Sequence, residues 1–287
     1  MKPPAPETPR GETPRPETPR AGAPRAGAPR KGRGELRDQP PRTRTQPWRV
    51  ISLVPSLTEA IAETLPGEVL VGATNWCTHP AGLDVTRIGG TKNPDLDRIL
   101  ALAPDLVIAN EEENRAPDLD ALRTAGVEVL LTEVRNVPQA FRELDRVLTA
   151  CGAGGRPRWL DEAERAWSAP VPPGPRTTAV VPIWRRPWMV LGRDTFAGDV
   201  LARLGVRNLF EGHPERYPRL PVGELLDAAP DLVVLPDEPY RFTAADGPEA
   251  FPGLPCALVS GRHLTWYGPS LAEAPRVLGE ALRAAHR

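Results

Sequence analysis

Histidine, cysteine and tyrosine are scarce in this 287-residue chain, with four, three and three copies respectively. The cysteines, Cys77, Cys151 and Cys256, are odd in number and far apart, and no Cys-x-x-Cys occurs. That excludes a disulfide framework and suits a reducing compartment. No paired-histidine or His-x-x-x-His spacing exists from which a metal site would be built. No apolar run approaches the ~20 residues that span a bilayer. The start of the chain also lacks the ~7–15-residue apolar stretch of a secretory signal, so the expected compartment is the cytoplasm.

Net charge is equally sparse, at −1, but it averages two unlike parts. Residues 1–47 carry 11 basic and 5 acidic side chains, while residues 48–287 carry 25 and 32. The acidic body argues against nucleic-acid binding by the globular part. Proline is what the chain has in plenty: 37 residues, twelve of them in the first 47. That segment repeats Glu-Thr-Pro-Arg at 7–10, 12–15 and 17–20, and Ala-Gly-Ala-Pro-Arg at 21–25 and 26–30. So few apolar side chains cannot offset the entropy of ordering the backbone, and a disordered Pro/Arg-rich tail is expected over 1–47.

From residue 48 the pattern becomes that of a folded α/β protein. Short β-branched runs at 49–54, 69–73, 105–109 and 127–132 read as strands. Amphipathic segments at 57–65, 96–102 and 118–125 read as helices between them, and Ser56-Leu-Thr-Glu59 reads as a capping box at the first helix. Two helical segments follow at 137–150 and 158–168, separated by a Gly/Pro-rich break. The alternation then restarts, with strands at 177–183, 231–235 and 257–260 and helices at 195–204, 222–228 and 270–285. Alternating strands and helices imply mainly parallel sheets.

An internal echo points to two related lobes. Ile99-Leu-Ala-Leu-Ala-Pro-Asp-Leu-Val107 aligns with Leu225-Leu-Asp-Ala-Ala-Pro-Asp-Leu-Val233 at an offset of 126 residues. The expected architecture is therefore α/β: two lobes, each a mainly parallel sheet flanked by helices, joined by a helical backbone segment. The boundaries are 48–136 for the first lobe, 137–169 for the linker and 170–287 for the second lobe.

Four stretches resemble a known family, the helical-backbone periplasmic binding proteins for cobalamin, haem and iron–siderophores that serve ABC transporters. They are Arg49-Val-Ile-Ser-Leu-Val-Pro-Ser-Leu-Thr-Glu59; Val71-Gly72 with Ile88-Gly-Gly-Thr-Lys-Asn-Pro94; Leu100-Ala-Leu-Ala-Pro-Asp-Leu-Val107; and, in the second lobe, segments 195–210, 221–234 and 264–274. The resemblance implies ligand capture between two lobes and a permease that docks on acidic residues of each lobe. Glu224 falls at the matching place in the second lobe, and Asp118 is the candidate in the first. Two features depart from the family: the missing leader, and the break at 152–157 where the family has one long helix.

In open α/β sheets ligands bind beyond the carboxyl ends of the strands. Those ends carry Ser56, Asn75, Trp76, Asn110, Trp184, Arg185, Trp188, Tyr240, Trp266 and Tyr267, the candidate ligand-binding residues. Four of the seven tryptophans lie there, and aromatic side chains on loops suit a flat, largely apolar ligand such as a macrocycle. Trp76, Trp184, Trp266 and Tyr267 are the expected walls, with Asn110 and Arg185 as polar contacts. Ser56 caps a helix whose N–H groups suit an anionic ligand group, and no His/Asp partner marks it as a nucleophile. Cys77, His79 and His263 are the weak metal-ligand candidates. Glu111-Glu112-Glu113 reads as a solvated charge run.

The function expected is non-catalytic capture of a metal chelate, with no resident cofactor and no catalytic residue. The alternatives are a cytoplasmic corrinoid- or metallocofactor-processing enzyme, or a direct metal-ion receptor.

Overall fold

A computed structural model describes residues 48–168 and 177–285. The tail expected over 1–47 and the residues at 169–176 lie outside the described residues. The described residues belong to one compact unit.

The first lobe holds five strands: β1 (Val50–Ser52), β2 (Leu70–Ala73), β3 (Thr86–Arg87), β4 (Leu106–Asn110) and β5 (Glu128–Thr132). They pair in the order β3-β2-β1-β4-β5, all parallel. Helices α1 (Pro55–Ala62), α2 (Leu96–Ala101) and α3 (Ala116–Thr124) make the crossovers. Two further helices follow, α4 (Val137–Ala150) and α5 (Arg158–Ala166).

The second lobe contains β6 (Thr177–Val180), the antiparallel pair β7 (Pro182–Trp184) and β8 (Met189–Val190), α6 (Phe196–Arg203), β9 (Val206–Asn208) and α7 (Val222–Asp227). It is completed by β10 (Leu232–Pro236), β11 (Cys256–Val259), α8 (Gly261–Thr265) and α9 (Ala274–Ala284). Its parallel sheet has the order β11-β10-β6-β9.

Strand periodicity divides the apolar residues between the two faces of each sheet. Val50, Leu106, Ile108, Leu232 and Val234 join one large core, whereas their neighbours Ile51, Val107, Ala109, Val233 and Leu235 enter two smaller ones. The large core runs through both lobes, because the apolar stripe Phe141, Leu144, Val147 and Leu148 of α4 is buried between α1 and α6. Asn136 caps α4 by accepting from the Gln139 N–H at 2.9 Å, and Asp199 of α6 accepts from the Val137 N–H at 2.8 Å. Helix α5 is anchored at both ends by indoles: Trp159 donates to Thr64 Oγ1 at 3.0 Å and Trp167 to the Leu271 carbonyl at 2.9 Å.

The break between α4 and α5 is braced. Arg156 reaches Asp145 of α4 at 2.6 Å and Asp161 and Glu164 of α5 at 2.8 and 2.6 Å. Gly152 turns there with φ +92°, and a Cβ on it would come within 2.8 Å of the Trp48 ring.

The repeat is structural as well as sequential. Ala103 and Ala229, at φ 45° and 49°, make the same left-handed step before Pro104 and Pro230. Asp105 then accepts from the Arg49 N–H at 3.0 Å, and Asp231 accepts from the Thr178 N–H at 2.9 Å. Each aspartate thus satisfies a main-chain donor at the start of the adjacent central strand.

Two local expectations change. Helix α1 begins at Pro55, with Val54 as N-cap, so the Ser56–Glu59 capping box does not form. Proline's fixed φ is preorganised for the first helical position, which moves Ser56 inside the helix. The run at 177–183 also splits into β6 and β7, since β7 leaves the sheet to pair with β8.

Removing the Asp231 carboxylate leaves the Thr178 donor unmatched. Asp231→Ala should lower unfolding free energy by about 1–2 kcal/mol in urea titration, whereas Asp227→Ala, on an exposed helix end, should change it by less than about 0.5 kcal/mol.

Candidate functional site

The carboxyl ends of β1 and β4 in one lobe, and of β6 and β10 in the other, are where each sheet's strand order reverses, the usual place for a ligand in such sheets. The loops leaving these ends meet. Glu111, directly after β4, pairs with Arg135 at 2.9 Å and with Arg216 of the second lobe at 3.2 Å. Glu112 also binds Arg216, and accepts from the Tyr217 hydroxyl at 2.7 Å. The acid run expected to be a solvated loop is therefore half of a bridge between the lobes. A second bridge joins Glu59 of α1 to Arg262 of α8. Beside it, the His79 ring sits edge-on to Trp266 at 5.4 Å, and the Arg262 guanidinium lies 6.0 Å from the Trp266 ring.

Among the described residues, two buried polar atoms at this second contact, Glu59 Oε2 and Arg262 Nε, have no hydrogen-bond partner, while the Ser56 hydroxyl interacts with that of Tyr267. Buried polar groups are nearly always paired, so their concentration where the lobes meet marks a spot suited to a polar group of a ligand. Gly268 packs there against the Ser56 carbonyl, where a Cβ would come within 2.9 Å.

Two more carboxylates frame the cleft. Glu113 is pushed up to about 7 by burial, with Glu112 and Glu238 adding to the shift and Lys92 opposing it. Glu238, two residues beyond β10, is also raised, by burial and then by Asp237, against the Trp266 indole and Arg262. Tyr267 is raised by burial and by Glu113 and Glu112.

The residues nominated from sequence divide into two groups. Asn75 and Trp76 are exposed at the end of the first sheet, with Trp76 at 65%, and Trp184 is 43% exposed at the end of β7. Trp184 stands edge-on to Tyr240 at 5.6 Å, and the Tyr240 hydroxyl donates to Asp246 at 2.6 Å. Trp266, Tyr267 and Ser56 are buried at the junction of the lobes.

The other nominated residues are engaged within their own lobes. Asn110 is buried; its amide donates to the Thr132 carbonyl and hydroxyl at 3.2 Å, and its oxygen accepts from the Glu112 N–H at 2.9 Å. It shapes the loop and leaves no free polar group for a ligand. Arg185, expected as a polar contact, is paired with Asp246 and Glu249 and lies over Trp188. Trp188, expected near the ligand, stacks on Phe242 at 6.0 Å and abuts Phe251, because a large ring at this position completes the core of the second lobe.

The weak metal candidates are likewise engaged. The Cys77 thiol is buried between the Thr58 and Thr74 hydroxyls at 3.0 and 3.1 Å. Burial raises its pKa. His263 bonds Ser260 through one ring nitrogen and Glu273 through the other. His79 bonds Thr78 at 3.1 Å. Among the described residues no cluster of three or more His, Cys, Asp or Glu side chains is arranged for a metal ion. Of the candidate docking acids, Glu224 is exposed in the first turn of α7 and Asp118 is half-buried in the first turn of α3.

Glu59, Glu112, Glu113, Arg216, Tyr217 and Arg262 were absent from the sequence-derived list. The repeat carried a signal for some of them: at the offset of 126, Glu111-Glu112 faces Asp237-Glu238, both directly after a central strand.

Two parallel-sheet lobes, a helical bridge and an interlobe cleft at the strand ends define the class of two-lobed binding proteins. Known proteins agree. The chain is 24% identical over 213 residues to the vitamin B12-binding protein of Pectobacterium carotovorum subsp. carotovorum, covering 69% of this chain and 74% of that one. It is 30% identical over 122 residues to an uncharacterized ABC transporter substrate-binding lipoprotein of Bacillus subtilis, covering 42% and 38%. Among solved structures, the periplasmic haem-binding protein BhuT with two haems superposes with a TM-score of 0.71 at 25% identity, over 83% of this chain and 99% of that one. The periplasmic vitamin B12-binding protein BtuF of Vibrio cholerae shares the fold at 19% identity, with a TM-score of 0.63 over 83% and 98%. No family model matches. In sequence and in fold the chain is thus similar to substrate-binding proteins described as binding vitamin B12 or haem.

The Glu113 carboxyl is raised above its unfolded value, so its charging in the folded state opposes folding increasingly from about pH 4.5 to above pH 7. Glu113→Gln should therefore raise the melting temperature at pH 8 and leave it nearly unchanged at pH 5, measured by differential scanning fluorimetry. An equal shift at both pH values would contradict the assignment.

Proposed function

We propose that the protein is a non-catalytic binding protein that captures a metal chelate of the corrinoid, haem or siderophore kind in the cleft between its lobes and presents it to an ABC permease. The observation that carries this reading is the pair of solvent-exposed indoles, Trp76 just beyond β2 in the first lobe and Trp184 at the end of β7 in the second. A soluble protein exposes large rings in such a place at a cost. A flat ligand that stacks on them recovers the apolar area. The Glu59 and Arg262 atoms without a partner among the described residues support a ligand with polar substituents on its rim. The relatives described as binding vitamin B12 or haem support the chelate class.

The chelate is cargo in this reading. Asn75, Trp76, Trp184 and Tyr240 are its contacts, and Trp266 and Tyr267 back the junction behind them. The lobes at 48–136 and 170–287 move about the linker at 137–169. Glu224 and Asp118 are the docking acids, one on each lobe. The solved neighbours are described as periplasmic; fractionation of the producing cells, with enzyme markers for each compartment, tests whether this protein shares that compartment.

Cyanocobalamin or haemin should quench the tryptophan fluorescence of the purified chain saturably. Trp76→Ala and Trp184→Ala should each weaken the binding by about 3- to 30-fold, in line with the loss of one aromatic contact and its buried area. Absence of saturable quenching and of any thermal shift with corrinoids, haemin and ferric siderophores would overturn the proposal.

A further inference from the structure

Trp184 ends β7 and leaves 43% of its surface open to solvent. The ring it meets is that of Tyr240, edge-on at 5.6 Å with 75° between the planes. Tyr240 is itself half-buried, tilted against the buried Phe242 ring at 4.7 Å. It lies in the long connection from β10 to β11, residues 237–255, whose regular structure is a one-turn helix at Pro248–Ala250. A connection of this kind does not fix a ring through its backbone alone, so the orientation of Tyr240 depends on side-chain ties.

Those ties converge on Arg185, the residue after Trp184. Its Nη1 donates to Asp246 Oδ1, and its Nη2 to Glu249 Oε1 at 2.5 Å. The second oxygen of each carboxylate is also used. Asp246 Oδ2 accepts from the Tyr240 hydroxyl at 2.6 Å, and Glu249 Oε2 from the Gly247 N–H at 2.6 Å. Thr243 and Asp246 exchange main-chain hydrogen bonds at 3.0 and 3.2 Å, which closes the turn between them. Behind all of this the Arg185 guanidinium lies over the Trp188 ring at 5.2 Å, against the core of the second lobe. A planar fork that serves two carboxylates while stacking on an indole is arginine chemistry, which an ammonium does not reproduce. The Arg185 side chain is 14% exposed, but its partners Asp246 and Glu249 are 39% and 50% exposed. Pairs with such open partners return little stability, so what the network fixes is the direction of Tyr240 and of the indole beside it.

Resting on the chelate reading above, we propose that Arg185 and Asp246 are positioning residues: they hold Tyr240, and through it the exposed Trp184 indole, in the orientation on which a flat ligand stacks. Trp184 and Tyr240 make the contact, and the charged pair acts from behind them. Aromatic stacking is geometrically selective, and an exposed ring that turns freely must be immobilised when the ligand arrives. That ordering costs about 2- to 10-fold in affinity per side chain. The Arg185–Asp246–Tyr240 chain meets the cost before binding, which gives Arg185 a role other than the direct polar contact expected of it from sequence.

The test separates orientation from contact. The full chain is labelled with 5-fluorotryptophan, the Trp184 resonance is assigned by its loss in Trp184→Phe, and cyanocobalamin and haemin are titrated by calorimetry. Tyr240→Phe keeps the ring and removes its tie, Asp246→Ala removes the acceptor, and Arg185→Lys keeps the charge and loses the fork. Each should shift or broaden the Trp184 fluorine resonance in the ligand-free protein, leave the other tryptophan resonances in place, and weaken binding of whichever probe the wild type takes by about 3- to 10-fold. Asp246→Asn, which still offers the Tyr240 hydroxyl an acceptor, should restore the resonance and most of the affinity. A Trp184 resonance unmoved in Tyr240→Phe and Asp246→Ala, a shift spread over all the tryptophans, or unchanged affinity despite a local shift would overturn the inference and leave the chelate reading intact. If the wild-type chain binds neither cyanocobalamin nor haemin, nor a ferric siderophore, the chelate reading itself falls and the inference with it.

Discussion

Burial of one apolar stripe holds the molecule together. Phe141, Leu144, Val147 and Leu148 of α4 are packed between α1 of the first lobe and α6 of the second, so neither sheet has a complete core without the helix that joins them. The strand ends of both lobes are thereby brought to one cleft. The same packing accounts for how the linker tolerates its interruption. Gly152 makes the left-handed step against Trp48, and Arg156 then braces α4 and α5 through three carboxylates. A break in the helix is thus accommodated without freeing the lobes from their shared core.

Within that frame, the lobes meet largely through charge. Glu111 and Glu112 reach Arg216, and Glu59 reaches Arg262, in partly buried surroundings where an ion pair is screened less than on an open surface. Such pairs return little net stability once desolvation is counted, but breaking one partner is costly. They therefore set the register of the lobes more than they strengthen the fold.

Much of the fold was legible in the sequence, and the reasons are local. The boundaries of α4 follow from Asn136, a good N-cap, and from a regular 3.6-residue stripe. The repeated Ala-Pro-Asp-Leu-Val carried the two-lobed plan because the aspartate does the same work twice, satisfying a main-chain donor of a neighbouring strand. Elements such as β3, the β7–β8 pair and β9 are two or three residues long, too short to show a period, and were not expected. The site was legible only as a region. Trp76 and Trp184 are exposed at strand ends as their loop positions suggested, whereas Trp188, equally a loop tryptophan by sequence, is claimed by Phe242 and Phe251.

The sequence by itself determined the α/β alternation, the duplication, the helical connection and the set of strand-end loops, since each follows from periodicity, capping or turn chemistry within a few residues. Only the tertiary structure decided which charges are paired and which are left over. Glu59 and Arg262 are 203 residues apart, and Glu112 and Tyr217 are 105 apart. Pairing over such distances depends on how the two sheets are set against α4, which no local pattern encodes. An acid run that reads as a solvated loop thus became a bridge between lobes.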